Sequence, residues 1–280
     1  MSVPAYLKAG PFTSNVLVKK RYLILYIFQI WLSIFVIQFE FWWYWNLLFH
    51  SKFIHFIIFL PALIFVIYLS LVFISLLSTK ILLIIVNLFH KPREGVFLRD
   101  SSDKDYRYWS IRNTIKKWPA WMAHKFPLPF LDNICFKLFG VKTKFSNSLF
   151  EGWVDTEFIE FGKNVVVGQA SVIQSAVIIG NLFIIRKTII EDNVRIGAHS
   201  VIMPGTHMSK NSVLAASSLT IIDQELEESW VYLGAPAKKY KRDVFFEDGL
   251  EETIAEQEQD IEELRKKYEE LYTRRKDKKI

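Results

Sequence analysis

Two of the chain's six histidines, His199 and His207, stand in its most regular stretch. An imidazole with a pKa near neutrality takes a proton as a base and returns it as an acid, so proton transfer at a nucleophile or leaving group is the chemistry on offer. Other reactive constellations are missing. There is no phosphate-binding loop, nucleophile elbow or cysteine cluster, and a single cysteine, Cys135, excludes an intrachain disulfide. Further on, Trp230-Val231-Tyr232-Leu233-Gly234-Ala235-Pro236-Ala237-Lys238-Lys239 joins a glycine and proline turn to adjacent lysines.

The elements that must position these residues follow a six-residue ruler. Phe161, Val167, Ile173 and Ile179 lie on it, as do Ile190, Ile196, Ile202, Met208 and Leu214 after a one-residue slip. Val194, Ser200, Thr206, Ser212 and Ser218 come four positions after the last five anchors, and Gly162, Gly168, Gly180 and Gly197 directly follow theirs. This hexapeptide-repeat spacing predicts a parallel β-helix in which each hexad is one short strand and a corner. Anchor and fourth-following residue both point inward, the second small or branched because the core tapers. Glycine and asparagine relieve corners of positive φ. Three hexads close a coil, so 155–218 holds about three and a half coils, each resting on its neighbours. So short a stack buries little apolar surface, and oligomerisation is the expected remedy. On the ruler His199 takes the fourth place of its hexad and points outward near a corner. His207 directly precedes anchor Met208 and also points out. The slip between Ile179 and Ile190 marks where a bulge or loop should emerge.

The first half is of another kind. Residues 22–89 are almost continuously apolar, and 22–41 is long enough to cross a hydrocarbon core of about 30 Å. Phe41, Trp42, Trp43, Tyr44 and Trp45 form an aromatic belt at its far end, and a second span falls at 53–77. Lys80 and residues 81–88 continue that helix into the headgroups or lie along the surface. Lys19, Lys20 and Arg21 precede the pair and Lys80, Lys91 and Arg93 follow it, which places both termini in the cytoplasm of a multi-pass cell-membrane protein. Gln29, Gln38 and Glu40 lie within the first span, but two helices enclose no pore, so the pair reads as an anchor contacting lipid.

Between the halves, 106–121 reads as a basic, aromatic helix that Pro119 ends or kinks, either lying on the bilayer or packing on the β-helix. A short helix at 131–139 ends at Gly140. The net charge of +6 gathers at the membrane edges, which argues against nucleic-acid binding. From Leu250 a heptad of Leu250, Ile254, Gln257, Ile261, Leu264, Tyr268 and Leu271 predicts a coiled coil. The expected organisation is a cytoplasmic N-terminal segment at 1–21, a membrane α-helical hairpin at 22–90 and a helical linker at 91–150. A hexapeptide-repeat β-helix at 151–241 and a coiled-coil helix with a basic tail at 242–280 complete it.

The repeats followed by the Gly234-Ala235-Pro236-Ala237-Lys238 turn resemble the left-handed parallel β-helix acyltransferases of the hexapeptide-repeat superfamily. More narrowly, Phe139-Gly140-Val141, Asp155 and the run from Val194 to Thr206 are similar to the C-terminal repeat domain of polylysine-synthetase-type peptide synthetases and their membrane-anchored relatives. The resemblance covers 106–241. It implies a homotrimer with grooves between neighbouring β-helices, where an acyl thioester such as acyl-coenzyme A meets an amine or hydroxyl acceptor. It implies no permanently bound cofactor. A groove histidine, here His199, would act as base, and backbone N–H groups would hold the oxyanion. Gly234, Ala235 and Pro236 would line the pantetheine arm, with Lys238 or Lys239 meeting a phosphate.

One departure stands against this. Relatives of the peptide-synthetase type carry a histidine just after the third hexad, where this chain reads Ile173-Gln174-Ser175-Ala176. Ala176 transfers no proton, so the alternative is an inactive trimeric membrane scaffold in which His199 merely caps a corner. Zinc chemistry, as in the carbonic-anhydrase branch of the fold, needs three converging imidazoles, and no upstream histidine of the repeats supplies the third.

Overall fold

The structure, a computed structural model, describes residues 20–50, 52–124, 130–149 and 152–243, with Lys266 and Glu270. The heptad from Leu250 lies outside the described residues. Two long helices come first, α1 at Leu23–Leu48 and α2 at Phe53–Phe89, packed side by side. Both are long and apolar enough to cross a membrane by length and composition. Their burial is inverted relative to a water-soluble bundle. Trp31, Phe35, Ile54, Ile58 and Phe65 face outward, while Gln29 and Ser33 of α1 and Ser75 and Thr79 of α2 are fully buried. Gln29 donates its side-chain N–H to Thr79 Oγ1 at 2.5 Å, and Tyr44 donates to the Phe56 carbonyl at 2.5 Å. Small and polar side chains thus meet between the two helices, the kind of contact that joins helices in apolar surroundings. The Gln29 amide N–H is engaged in this contact, while its Oε1 is buried without a hydrogen-bond partner.

α2 is one continuous helix of 37 residues, so Lys80 and 81–88 continue the helix. At 1.5 Å per residue it is about 55 Å long, well beyond a hydrocarbon core of about 30 Å. Its second half is covered by α3 (Lys104–His124) and α4 (Phe130–Phe139): Leu76 and Leu83 pack with Ile115, Met122, Leu131, Cys135 and Phe139. α3 therefore packs between helices and β-helix and does not lie free on a surface. Pro119 does not end it; the helix runs on to His124 with the proline inside, and Met122 and Ala123 are buried in the shared core. α4 ends as expected at Gly140, whose φ is 116°.

The β-helix is built from short parallel strands whose partners lie eighteen or nineteen positions away, or twenty-nine where an inserted hairpin intervenes. One wall stacks β3 (Ile159–Phe161), β8 (Thr188–Ile190), β11 (His207–Met208) and β13 (Glu225–Leu226). A second stacks β4 (Val166–Val167), β9 (Arg195–Ile196), β12 (Val213–Leu214) and β14 (Trp230–Leu233), and the third β2 (Trp153–Val154), β5 (Val172–Ile173) and β10 (Val201–Ile202). Bridges from Lys142 to Glu160 and from Ser148 to Val166 carry the coil back to residue 142. The strand β15 (Lys238–Arg242) closes the top antiparallel to β14.

Phe161, Val167, Ile173, Ile190, Ile196, Ile202, Met208 and Leu214 form the buried column the ruler predicted, joined by Leu226 and Tyr232. Val194, Ser200, Thr206, Ser212 and Ser218 are buried beside them. Inward hydroxyls find carbonyls: Ser171 donates to Gly197 O at 2.7 Å and Ser200 to Ala215 O at 2.9 Å. One corner is an asparagine ladder of Asn164, Asn193 and Asn211, each near φ 55° to 60°, linked side chain to side chain.

Ile179 is the exception. It is no rung anchor, because 174–187 leave the coil as a hairpin of β6 (Ala176–Ile179) and β7 (Leu182–Ile185), in which Ile179 pairs with Leu182. The slip is thus an inserted excursion, after which Ile190 stacks on Phe161 as if nothing intervened. Gly180 is accordingly a hairpin-turn residue, with φ 58°. An outer strand, β1 (Gly95–Leu98), pairs with β7, and Phe183 is buried against Tyr106 and Trp109 of α3.

At Gly197 an added Cβ would fall 2.3 Å from the Ala216 backbone nitrogen of the next coil, whereas at Gly180 it would meet open space. Gly197→Ala is expected to cost on the order of 3 kcal/mol of stability and Gly180→Ala about 1 kcal/mol, the cost of a left-handed φ alone. Denaturant unfolding of the detergent-solubilised protein measures both, and an equal or smaller loss at Gly197 would contradict so close an approach of coils.

Candidate functional site

His199 sits at the corner between β9 and β10, with φ 57° and its side chain exposed. Its backbone N–H donates to Gln169 O at 2.9 Å, and Ser217 on the next coil donates to Ala198 O at 2.8 Å. Ala170, His199 and Ser217 share this left-handed conformation and form one exposed column. The turn at Gly234 caps the same column. Leu219 donates to Gly234 O at 2.9 Å, and Gly234 donates to Ser218 Oγ at 3.1 Å. His199 and the turn are therefore two rungs apart on one corner, about 10 Å at a strand spacing near 4.8 Å.

The remaining expected residues divide. Ala235 and Pro236 are exposed in the turn and Lys238 is exposed at the start of β15. Lys239 is engaged, paired with Glu227 and 4.9 Å from the centre of the Trp230 ring. His207 lies on another wall, half-buried, with Nε2 2.9 Å from Glu191 Oε1. Nothing joins it to His199. Ala176 is buried at the root of the hairpin, and its backbone N–H points to Asp155 Oδ2 at 3.3 Å. Among the described residues no group of three or more His, Cys, Asp or Glu is placed to hold a metal ion.

A second locus was not anticipated. A cleft opens where α3 and α4 meet the first coil, lined among others by Trp109, Lys116, His124, Asp132, Phe136 and Asp155. Asp155 Oδ2 accepts N–H bonds from Ser175 at 3.0 Å and Ala176 at 3.3 Å. Burial nevertheless outweighs these bonds and Lys116, raising its carboxyl to a pKa of about 6. On the helical wall Asp132 is 3% exposed and lies 3.5 Å from His124 Nδ1. Burial pushes the Cys135 thiol well up, leaving it inert.

Behind the cleft an ion cluster fastens α3 to the β-helix. Arg112 Nε and Lys116 Nζ each lie 2.7 Å from Glu157 Oε1, and the two cationic side chains are almost wholly buried. Burial would raise the Glu157 pKa, but Lys116 and Arg112 prevail and hold it at about 2. Burial lowers the pKa of Lys116 despite Glu157. The signal for this locus was present in the sequence: Trp109, Asn113, Lys116, Ala120 and His124 recur at helical spacing.

Residues 187–217, which include His199 and His207, match the family model described as hexapeptide repeat of succinyl-transferase. These residues are hexapeptide repeats, and the parallel stack from 142 to 233 is the fold such repeats make. No curated protein matches the chain. Among solved structures, similarity is found to an N-acyltransferase from Bacillus cereus in complex with an amino-sugar nucleotide and coenzyme A. It is 22% identical, covers 30% of this chain and 52% of that one, and gives a TM-score of 0.28. A hexapeptide-repeat-containing acetyltransferase from Vibrio cholerae is 17% identical over 44% of this chain and 85% of its own, with a TM-score of 0.35. A maltose O-acetyltransferase from Clostridium difficile is 17% identical over 40% and 75%, with a TM-score of 0.32. The chain spans about half the length of the first of these.

The two carboxylates predict opposite responses to pH. Glu157, held down, contributes stability that is present above about pH 4.5 and is lost as pH falls toward 2. Glu157→Gln strands two buried cations and is expected to cost about 3–5 kcal/mol at neutral pH, read from denaturant unfolding. Asp155, held up, favours the folded state at low pH, and that contribution is lost as pH rises from 3.8 through about 6. Asp155→Asn keeps an acceptor for Ser175 and Ala176 without the charge. It should raise the thermal midpoint at pH 8 and leave it unchanged at pH 4; a lowered midpoint at pH 8 would refute the assignment.

Proposed function

We propose that this protein is a membrane-anchored acyltransferase that moves an acyl group from a thioester, acyl-coenzyme A or a similar donor, to an amine or hydroxyl acceptor near the bilayer. The observation that carries this reading is the shared corner: His199, inside the matched hexapeptide repeats, lies two rungs from the Gly234 turn on one exposed column. In the proposed reaction the thioester lies along the turn, with the phosphates of the donor toward Lys238. His199 takes the acceptor proton as the C–N or C–O bond forms and returns it to the thiolate as the C–S bond breaks. The short stack and its exposed corners favour assembly as a homotrimer, with a neighbour completing each groove. The inverted burial of α1 and α2 supports anchoring, and the basic residues at both ends of the pair support cytoplasmic termini of a two-span protein. In this reading the repeat domain is similar to those of polylysine-synthetase-type peptide synthetases.

A specific observation favours the alternative, an inactive scaffold. The position where such relatives place a histidine is Ala176, 4% exposed at the root of a hairpin covered by β1 and α3.

Two measurements separate the readings. Coenzyme A should raise the thermal midpoint of the native protein, and His199→Ala should lower acyl transfer by about 10²–10⁴-fold while keeping that shift. No shift would favour the scaffold, and unchanged transfer would remove His199 from the mechanism. Mass measurement of the solubilised protein should give a trimer; a monomer alone would defeat the assembly.

A further inference from the structure

The cleft between α3, α4 and the first coil has features that no structural role absorbs. Asp132 Oδ2 is buried and makes no hydrogen bond; His124 Nδ1 stands 3.5 Å from it. A buried carboxylate oxygen without a donor costs free energy, which a donor supplied from outside would recover. Across the cleft, Asp155 is held by backbone N–H groups on one oxygen, Oδ2. Lys116, which also lines the cleft, directs its Nζ to Glu157 at 2.7 Å. Asn113, Lys117, His124 and Thr156 also border the space, and Trp109, Ala120, Phe136 and Val154 give it an apolar wall. Two carboxylates above an apolar wall are the requirements of an ammonium group on a short apolar stem.

We propose that this cleft is a binding site for a primary amine, its ammonium taken by Asp132 and Asp155 and its apolar body lying against Trp109, Phe136 and Val154. As the acyl acceptor, that amine rests on the acyltransferase reading and narrows its acceptor class to amines. As a ligand it stands independently of any acyl donor. The amine carries a positive charge and three donors, and it satisfies both carboxylates at once, which an alcohol of the same shape cannot do.

The test uses the full chain in detergent at pH 8 without coenzyme A. Benzylamine, benzyl alcohol and benzoate are titrated and the thermal midpoint is followed. Benzylamine should raise the midpoint saturably, with benzyl alcohol and benzoate at least tenfold weaker. Asp132→Asn and Asp155→Asn should each weaken benzylamine tenfold or more, and His199→Ala should leave it unchanged. Ala120→Phe fills the cleft without touching either carboxylate, and it should abolish the shift even if an Asn variant fails to fold. Equal shifts with benzyl alcohol, no shift with benzylamine in the millimolar range, or full affinity in Ala120→Phe would overturn the site. Amine binding without acyl transfer supports the site and counts against the acyltransferase reading; acyl transfer without amine binding removes the site alone.

Discussion

Every coil of this protein rests on backbone contact with the coil above it, and the closeness of that contact governs the rest. Val167 donates to Ser148 in the coil before it and Gly168 to Ile196 in the coil after it, so a residue's place is set by its partners one coil away. Where two backbones touch there is no room for a side chain. Gly162, Gly168 and Gly197 stand at such points, each with backbone atoms of another coil within 3 Å of where a Cβ would be. The same contact brings the Ser200 and Ser171 hydroxyls within reach of carbonyls in the following coil, so these two are buried with their hydrogen bonds made, while the Ser212 hydroxyl is buried without one. It also lines up the corners, which is why His199 and the Gly234 turn meet on one edge although 34 residues separate them.

The helical half is joined to this stack by charge and by aromatic packing. Glu157 lies one coil-turn from the core, and Arg112 and Lys116 reach it from successive turns of α3. Such a cluster adds little net stability compared with an apolar contact, but it is selective about geometry, because a shift of the helix leaves buried charges unpaired. Arg112 also donates to the His90 carbonyl at the end of α2, so one guanidinium touches the last turn of the long helix, α3 and the β-helix together. Phe183 completes the junction by seating the hairpin against Tyr106 and Trp109.

The β-helix was legible because its rule is local and repetitive: Ile190, Ile196, Ile202, Met208 and Leu214 announce the inward column at fixed spacing, and their fourth-following partners follow it inward. Ile179 shows where the rule misleads. Its side chain is apolar and its position fits the ruler, but strand pairing with Leu182 takes it off the coil, and pairing partners are not written in spacing. Pro119 does not end its helix for a related reason, since the local cost of proline in a helix is outweighed by the core that Met122 and Ala123 enter. The cleft was the least legible. Its carboxylates, Asp132 and Asp155, are 23 residues apart and become neighbours only when α4 folds back on the first coil. His199 was found by its type and place, and the eighteen-residue coil carries its corner through Ser217 to the Gly234 turn.

The hairpin of β6 and β7 leaves the coil after Ile173 and returns at Thr188 with the phase of the stack intact. Its two ends lie side by side, held by the bond from Arg186 N to Ser175 O, and Thr188 is then aligned with Ile159. The excursion is therefore modular: lengthening or shortening it by whole cross-strand pairs alters its reach beyond the β-helix while the rungs above keep their register. A stack otherwise intolerant of a single added carbon thus has one place where length is free to vary, and that place adjoins the backbone that holds Asp155.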